Sequence, residues 1–277
     1  MRRLVLILTI LIAVFAQNSD AQKMPSDYFD EGNKYFEDSN YKNAIISFKY
    51  IVNHYPKNVL YPRAFYNLGY IYYCNNQYDS SLVIFKNILV SQFNEKEHLG
   101  GDIMADPYTN YRHWACIVLC NIYEDKSMFD TALHYLALGD TVYRYLHFCG
   151  NELDASKVST ALKYAELYKK LNKKDEAIQH LLPVVFKKDG DCAEVLAELK
   201  ELLKEKKNVK KELDLALAKP YSKPYRENTS ERYYFFKFLN TEIAFPGRYE
   251  SDEYKFDRKR AIEDVHKWKF YQMIEGL

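Results

Sequence analysis

The chain has 277 residues, with 39 basic against 38 acidic side chains, a formal charge of +1 at pH 7 and 26 tyrosines. So even a balance excludes the strongly basic surface with which nucleic-acid binders neutralise phosphates. Few Gly and Pro, with aromatics at 16%, argue for long helices packed through bulky side chains and against a β-sandwich with frequent turns.

The first residues have the layout of an export signal. Arg2 and Arg3 precede an uncharged apolar run from Leu4 to Phe15, and small residues follow at Ala16 and at Ser19-Asp20-Ala21. Basic start, apolar middle and small-residue cleavage site define a secretory signal peptide. The run is short for a membrane span, which needs about 20 apolar residues; an uncleaved anchor is the alternative. Cleavage is expected after Ala16 or Ala21, with Ala21 favoured. Without residues 1–21, acidic and basic residues are equal in number, and no second apolar segment is long enough to span a bilayer.

Residues 22–218 read as one helical repeat domain. Gly32 and Gly69, Tyr35 and Tyr72, Tyr41 and Tyr78, Phe48 and Phe85, and Ile51 and Ile88 match at a spacing of 37 residues. Ser26–Asp38 and Tyr41–His54 carry apolar residues three and four apart, the helical period; Ser39-Asn40 separates them and Pro56 ends the second. The next unit starts at Pro62, a favourable first helical position. It places Phe65, Leu68, Gly69 and Tyr72 inward, turns at Asn75-Asn76, and continues the core through Ser81, Phe85 and Ile88. An insertion from about Asn94 to Thr109 precedes a third unit: Cys116, Leu119, Cys120 and Tyr123, then Ala132 and Leu136. A fourth holds Ala161, Tyr164, Ala165, Tyr168, Ala177 and Leu181, with Pro183 as a departure. Cys192–Lys206 and Val209–Ala218 are two further helices.

Residues 219–277 form a linker and an aromatic cap. Lys219–Asn228 reads as linker. Glu231–Phe245 is either a strand pair turning at Asn240-Thr241 or a helix; the helix is favoured because Asn-Thr is a poor hairpin turn. Phe245-Pro246-Gly247 ends that element, and Lys255–Glu275 reads as one final helix closing the exposed end of the repeats.

The units resemble the tetratricopeptide repeat, a helix–turn–helix of 34 residues. Phe65, Leu68-Gly69, Tyr72, Ser81 and Phe85 carry the pattern in one unit; Tyr28, Gly32, Tyr35, Ala44, Phe48 and Pro56 carry it in the other. The resemblance implies an all-α, right-handed solenoid of antiparallel helix pairs. It also implies that the second face of each first helix lines a concave, peptide-binding groove. That face holds Tyr66, Tyr70 and Tyr73, with Phe29, Asn33 and Phe36 in the preceding unit and Arg63 and Asn67 beside them. Aromatics and arginine dominate interface energetics, so Phe29, Asn33, Phe36, Arg63, Tyr66, Tyr70 and Tyr73 are the candidate partner-binding residues; packing against adjacent helices is the rival role. Some family members clamp a peptide carboxylate with Lys, Asn and Arg. Here Phe29 replaces the lysine, and Trp114 and Val118 stand where basic residues belong, so that clamp is not expected.

Other constellations have plainer readings. His113, Cys116 and Cys120 share a helical face, but zinc wants a fourth ligand, and the cysteines fall at small core positions. Neither metal nor cofactor is expected. His98, Asp102 and Asp106 beside Gly100-Gly101 lack the EF-hand spacing. The Lys200–Lys211 run is interleaved with glutamates and reads as a solvated helix face. Five cysteines suit buried apolar positions, with a Cys149–Cys192 bridge as the one pairing left open. No nucleophile elbow, phosphate loop or HExxH is present.

These readings describe an exported, periplasmic or secreted, non-enzymatic binder of a protein or peptide, of Gram-negative type. Alternatives are a subunit of an outer-membrane assembly or Tol–Pal-like machine, and a carbohydrate binder or processing enzyme using the tyrosines. Mass spectrometry of protein exported by a native-type host is expected to show an N-terminus at Gln22 or Gln17; an intact Met1 in a cytosolic fraction would refute export.

Overall fold

The computed structural model describes residues 23–97, 108–187, 192–224, 230–251 and 253–277, the backbone alone for 246–249. The export segment 1–21 and the insert residues His98, Gly100, Gly101, Asp102 and Asp106 lie outside these. The chain divides into two compact units, the first ending at Phe93 and the second starting at Asn94. The described residues are mostly helical, with helices packed in consecutive pairs, and include a small sheet. None of the described helices is long and apolar enough to cross a membrane.

The first unit consists of α1 (Pro25–Glu37), α2 (Tyr41–His54), α3 (Tyr61–Cys74) and α4 (Tyr78–Leu89). Pro25 opens α1 with its missing N–H where none is needed, and the Asp27 carboxylate accepts from the Met24 amide at 2.7 Å. Asn40 caps α2 by accepting from the Asn43 amide. Ala44, Phe48 and Ile51 of α2 and Ser81, Phe85 and Ile88 of α4 are fully buried. Each first helix gives way at a glycine. A methyl group on Gly32 would lie 2.7 Å from the Phe48 ring, and one on Gly69 the same distance from Ile84. The close approach lets the Ser81 hydroxyl donate to the Gly69 carbonyl at 2.9 Å. The inward face of α3 differs in detail from expectation. Ala64, Leu68, Gly69 and Ile71 are buried, whereas Phe65 and Tyr72 are half-buried.

In the second unit, α5 (Tyr111–Asp125) pairs with α6 (Phe129–Thr141), and α7 (Gly150–Lys170) with α8 (Lys174–Leu181). The four helical hairpins α1–α2, α3–α4, α5–α6 and α7–α8 turn alike. Ser39, Asn76, Ser127 and Asn172 take left-handed φ values of 56°, 56°, 57° and 57°. The next amide reaches back to the tyrosine carbonyl of the repeat signature: Asn40 to Tyr35 at 2.7 Å, Gln77 to Tyr72 at 2.8 Å, Met128 to Tyr123 at 2.8 Å and Lys173 to Tyr168 at 2.9 Å. This is Schellman closure, which satisfies carbonyls the helix end leaves open. The matches read in the sequence are therefore equivalent positions in space within each hairpin.

Beyond α8, Pro183 sits in a 3-10 turn, Leu182–Val184, and α9 (Ala193–Leu203) and α10 (Val209–Leu217) follow. The C-terminal region departs from the all-α expectation. Strands β1 (Tyr221–Pro224), β2 (Arg232–Phe238) and β3 (Thr241–Glu250) form an antiparallel sheet in that order. The segment read as a linker thus supplies an edge strand, and the segment read as a helix is a β-hairpin. The turn lies one residue earlier than the one weighed. Phe238 pairs with Thr241, leaving Leu239 and Asn240 at φ 46° and 64°, the two positive values of a type I′ turn. Leucine is a poor residue for that conformation, but its side chain packs on the core. Alternation follows: Phe236, Phe238, Thr241, Ile243 and Phe245 are buried, while Lys237 and Ala244 are exposed. Strand β3 runs through Pro246-Gly247 with a register irregularity, where a residue without an N–H is tolerated.

The expected final helix is two, α11 (Arg258–His266) and α12 (Lys269–Glu275). Asp257 caps α11 through the Arg260 amide at 3.0 Å. Trp268, extended at φ −83° and ψ 145°, breaks the run. The break lets Trp268 meet Phe186 edge-on at 4.9 Å while Phe270 packs on the same ring at 5.6 Å. Residues from Val158 to Ile274 share one core.

Two outcomes follow from the hairpin geometry. Gly69→Leu is expected to destabilise by about 1–3 kcal/mol or more through overpacking, and Ser127→Gly to stabilise by about 1 kcal/mol at most by relieving the left-handed residue. Urea unfolding of the full chain measures both.

Candidate functional site

The seven residues expected to bind a partner all lie in the first unit, on α1 and α3. The structure divides them into two groups. Near the start of the helices, Phe29 meets the buried Phe48 ring edge-on at 5.4 Å and Tyr66 meets the buried Phe85 at 5.4 Å. These two rings, both half-buried, cover the core residues of the paired second helices. Arg63 is half-buried one turn away.

The other group forms a half-buried patch that opens to solvent at Tyr70. Asn67 donates from Nδ2 to Oδ1 of Asn33 at 3.4 Å, joining α3 to α1. One turn further on, Phe36 meets Tyr70 at 5.9 Å and Tyr70 meets Tyr73 at 6.1 Å. Two rings from the neighbouring helices extend the patch: Tyr41 lies 6.0 Å from Phe36, and Tyr78 stacks on Tyr73 at 6.0 Å. Tyr41 and Tyr78 were legible as repeat matches but not as members of this patch. They sit at the start of α2 and α4, brought beside α1 and α3 by the tight turns. Tyr70 is the most open of the seven, at 37% exposure. Burial, with the neighbouring Cys74, raises its hydroxyl above the ordinary value, so at neutral pH it keeps its proton for donation.

The His113, Cys116 and Cys120 face of α5 is packing. Both cysteines are buried, and burial pushes each thiol up to about 12, as expected of cysteines in apolar surroundings. The Cys116 Cβ lies 3.0 Å from where a methyl group on Gly139 would stand, a close helix contact that the repeat pattern did not reveal. The His113 Nδ1 lies 3.2 Å from the Gly139 carbonyl oxygen and 3.0 Å from that of Tyr143. Carbonyls only accept, so Nδ1 carries the proton. Among the described residues no three His, Cys, Asp or Glu side chains gather to hold a metal ion. All five cysteines are free, Cys149 exposed and Cys192 buried. Within residues 200–211, Lys204 pairs with Glu201 at 2.6 Å, Lys206 with Asp175 at 2.8 Å and Lys210 with Asp214 at 2.9 Å.

No protein family matches the chain, and no curated protein is similar to it.

Two imidazoles, His113 buried and His180 half-buried, set an acid limit. Burial lowers the pKa of His113, against its two carbonyl bonds, and lowers that of His180, whose ring stacks on Tyr164 at 4.0 Å. A histidine whose folded value is depressed binds its proton more weakly folded than unfolded. Its contribution is complete above the unfolded value of about 6.5 and is lost as pH falls below it. The melting temperature is therefore expected to fall from about pH 7 to about pH 5. His180→Phe, which keeps a stacked ring and removes the titration, should flatten part of that fall.

Proposed function

We propose that this chain is an exported, non-enzymatic interaction protein, a tetratricopeptide-type solenoid that binds a protein or peptide partner. The proposed contact surface is the Phe36, Tyr70 and Tyr73 patch, with the Asn33–Asn67 pair beside it. The observation that carries the reading is the junction of α1 and α3. There two adjacent hairpins of one unit present a continuous row of rings at the surface, next to side-chain amides that can pair with a peptide backbone. Repeated hairpins are thin and bury their apolar faces against each other, so they offer extended surfaces instead of deep pockets. Rigid aromatic rings are the side chains that most often dominate binding energy at such surfaces. Phe29 and Tyr66 support the patch by covering Phe48 and Phe85. The basic start, apolar run and small residues before Gln22 support export.

A photo-crosslinking side chain at position 70, in cells of a native-type host, is expected to capture a discrete partner, and the same group at Ile46 on α2 is not. Tyr70→Ala should then weaken that partner by about 1–2 kcal/mol, the scale of an aromatic anchor, with the melting temperature unchanged. A variant that loses stability and keeps its affinity per folded molecule would assign the patch to packing.

A further inference from the structure

The second unit encloses a cleft of about 260 Å³ between the start of α5 and the loop joining α6 to α7. Its wall includes Glu95, Arg112, His113, Val142, Arg144 and Leu146. The cleft is held open by bonds that do not use its inner face. The buried Asn110 amide donates to the Leu146 carbonyl at 3.0 Å and accepts from the Leu146 amide at 2.8 Å. The Glu152 carboxylate accepts from the Tyr145 hydroxyl at 2.5 Å and from the Phe148 amide at 2.7 Å. Such a loop is pre-formed, which lowers the ordering cost of binding.

The groups facing the cleft are chemically complementary to one kind of molecule. Arg112 spends its Nε on Glu95 at 2.7 Å, and Arg144 spends its Nε on the Thr141 carbonyl at 3.1 Å. The Nη edges of both guanidinium groups make no bond to a described residue. Glu95 holds only the Nε edge of Arg112, so the Nη edges face the cleft as donors for a second carboxylate. His113 is buried, with only 6% exposure. Its Nδ1 proton points to the Gly139 and Tyr143 carbonyls, so its Nε2 is a bare acceptor, and no described residue donates to it. Val142 and Leu146 supply an apolar side.

We propose that this cleft binds a small monoanionic hydroxy acid. The guanidinium edges of Arg144 and Arg112 hold the carboxylate, the hydroxyl donates to His113 Nε2, and the apolar body lies along Val142 and Leu146. This site is separate from the patch on the first unit and does not depend on the partner-binding reading.

The test is calorimetric titration of the full chain with mandelate, with phenylacetate, which lacks the hydroxyl, and with inorganic phosphate. Mandelate is expected to saturate and to bind about fivefold tighter than phenylacetate, the worth of one neutral hydrogen bond. Arg144→Ala, at an exposed side chain, should keep the melting temperature and weaken mandelate about tenfold, the loss of a charge-assisted contact. No saturable binding of mandelate overturns the proposal, as does equal binding by Arg144→Ala. Equal affinity for mandelate and phenylacetate removes the role of His113 and overturns it too. Binding of phosphate without mandelate overturns it in favour of a plain anion site.

Discussion

Two helices that cross with almost nothing between them are the constraint on which this structure rests. At Gly32 and Gly69 the space a methyl group would need is already taken by Phe48 and by Ile84. The large side chain of each second helix can be fully buried only because the first helix offers bare backbone. The turn must then reverse the chain quickly enough to keep the helices in that contact, which explains the left-handed residue in all four hairpins. None of the four is glycine, although glycine is the residue that conformation favours. Serine and asparagine tolerate it, and the backbone bond to the tyrosine carbonyl offsets the strain. The same tight reversal lays Tyr41 and Tyr78 beside Phe36 and Tyr73, so the surface patch is a by-product of the packing geometry.

The hairpins were legible because their requirements are local and repeat. A small residue, an aromatic and a turn at fixed offsets recur wherever two helices must approach closely, and helical period marks the rest. The region after residue 219 has no such repetition. Tyr233 to Phe238 is dense enough in aromatics to satisfy either period, so alternation was hidden. The deciding fact was a Leu-Asn turn that sequence rules rank poorly. Its stability comes from Leu239 meeting the core, a tertiary contact no local rule contains. The break at Trp268 has the same origin. Nothing in Lys255–Glu275 forbids one helix, but Trp268 and Phe270 both find Phe186, and a continuous helix would not turn both toward it.

Sites were less legible than folds. The offset row on α1 and α3 could be placed on one face, yet only the folded contacts separate Phe29 and Tyr66, whose rings meet the buried Phe48 and Phe85, from Phe36, Tyr70 and Tyr73, whose rings meet one another. The cleft around Arg112 and Arg144 left no signal, because its members come from before α5, from α5 itself and from the loop after α6. His113 shares a helical face with Cys116 and Cys120. Its role is fixed by two carbonyls that are distant in the chain.

The two units also differ in when they can come into being. The first draws its buried residues from a short continuous stretch ending at Phe93, so its internal contacts can form once that stretch has been made. The core of the second reaches from Val158 to Ile274 and lacks Phe270 and Ile274 until the last few residues exist. A chain emerging N-terminus first therefore holds a finished first unit while the apolar faces of α7 to α10 stand uncovered. Uncovered apolar faces of this kind are what aggregation and chaperones act on.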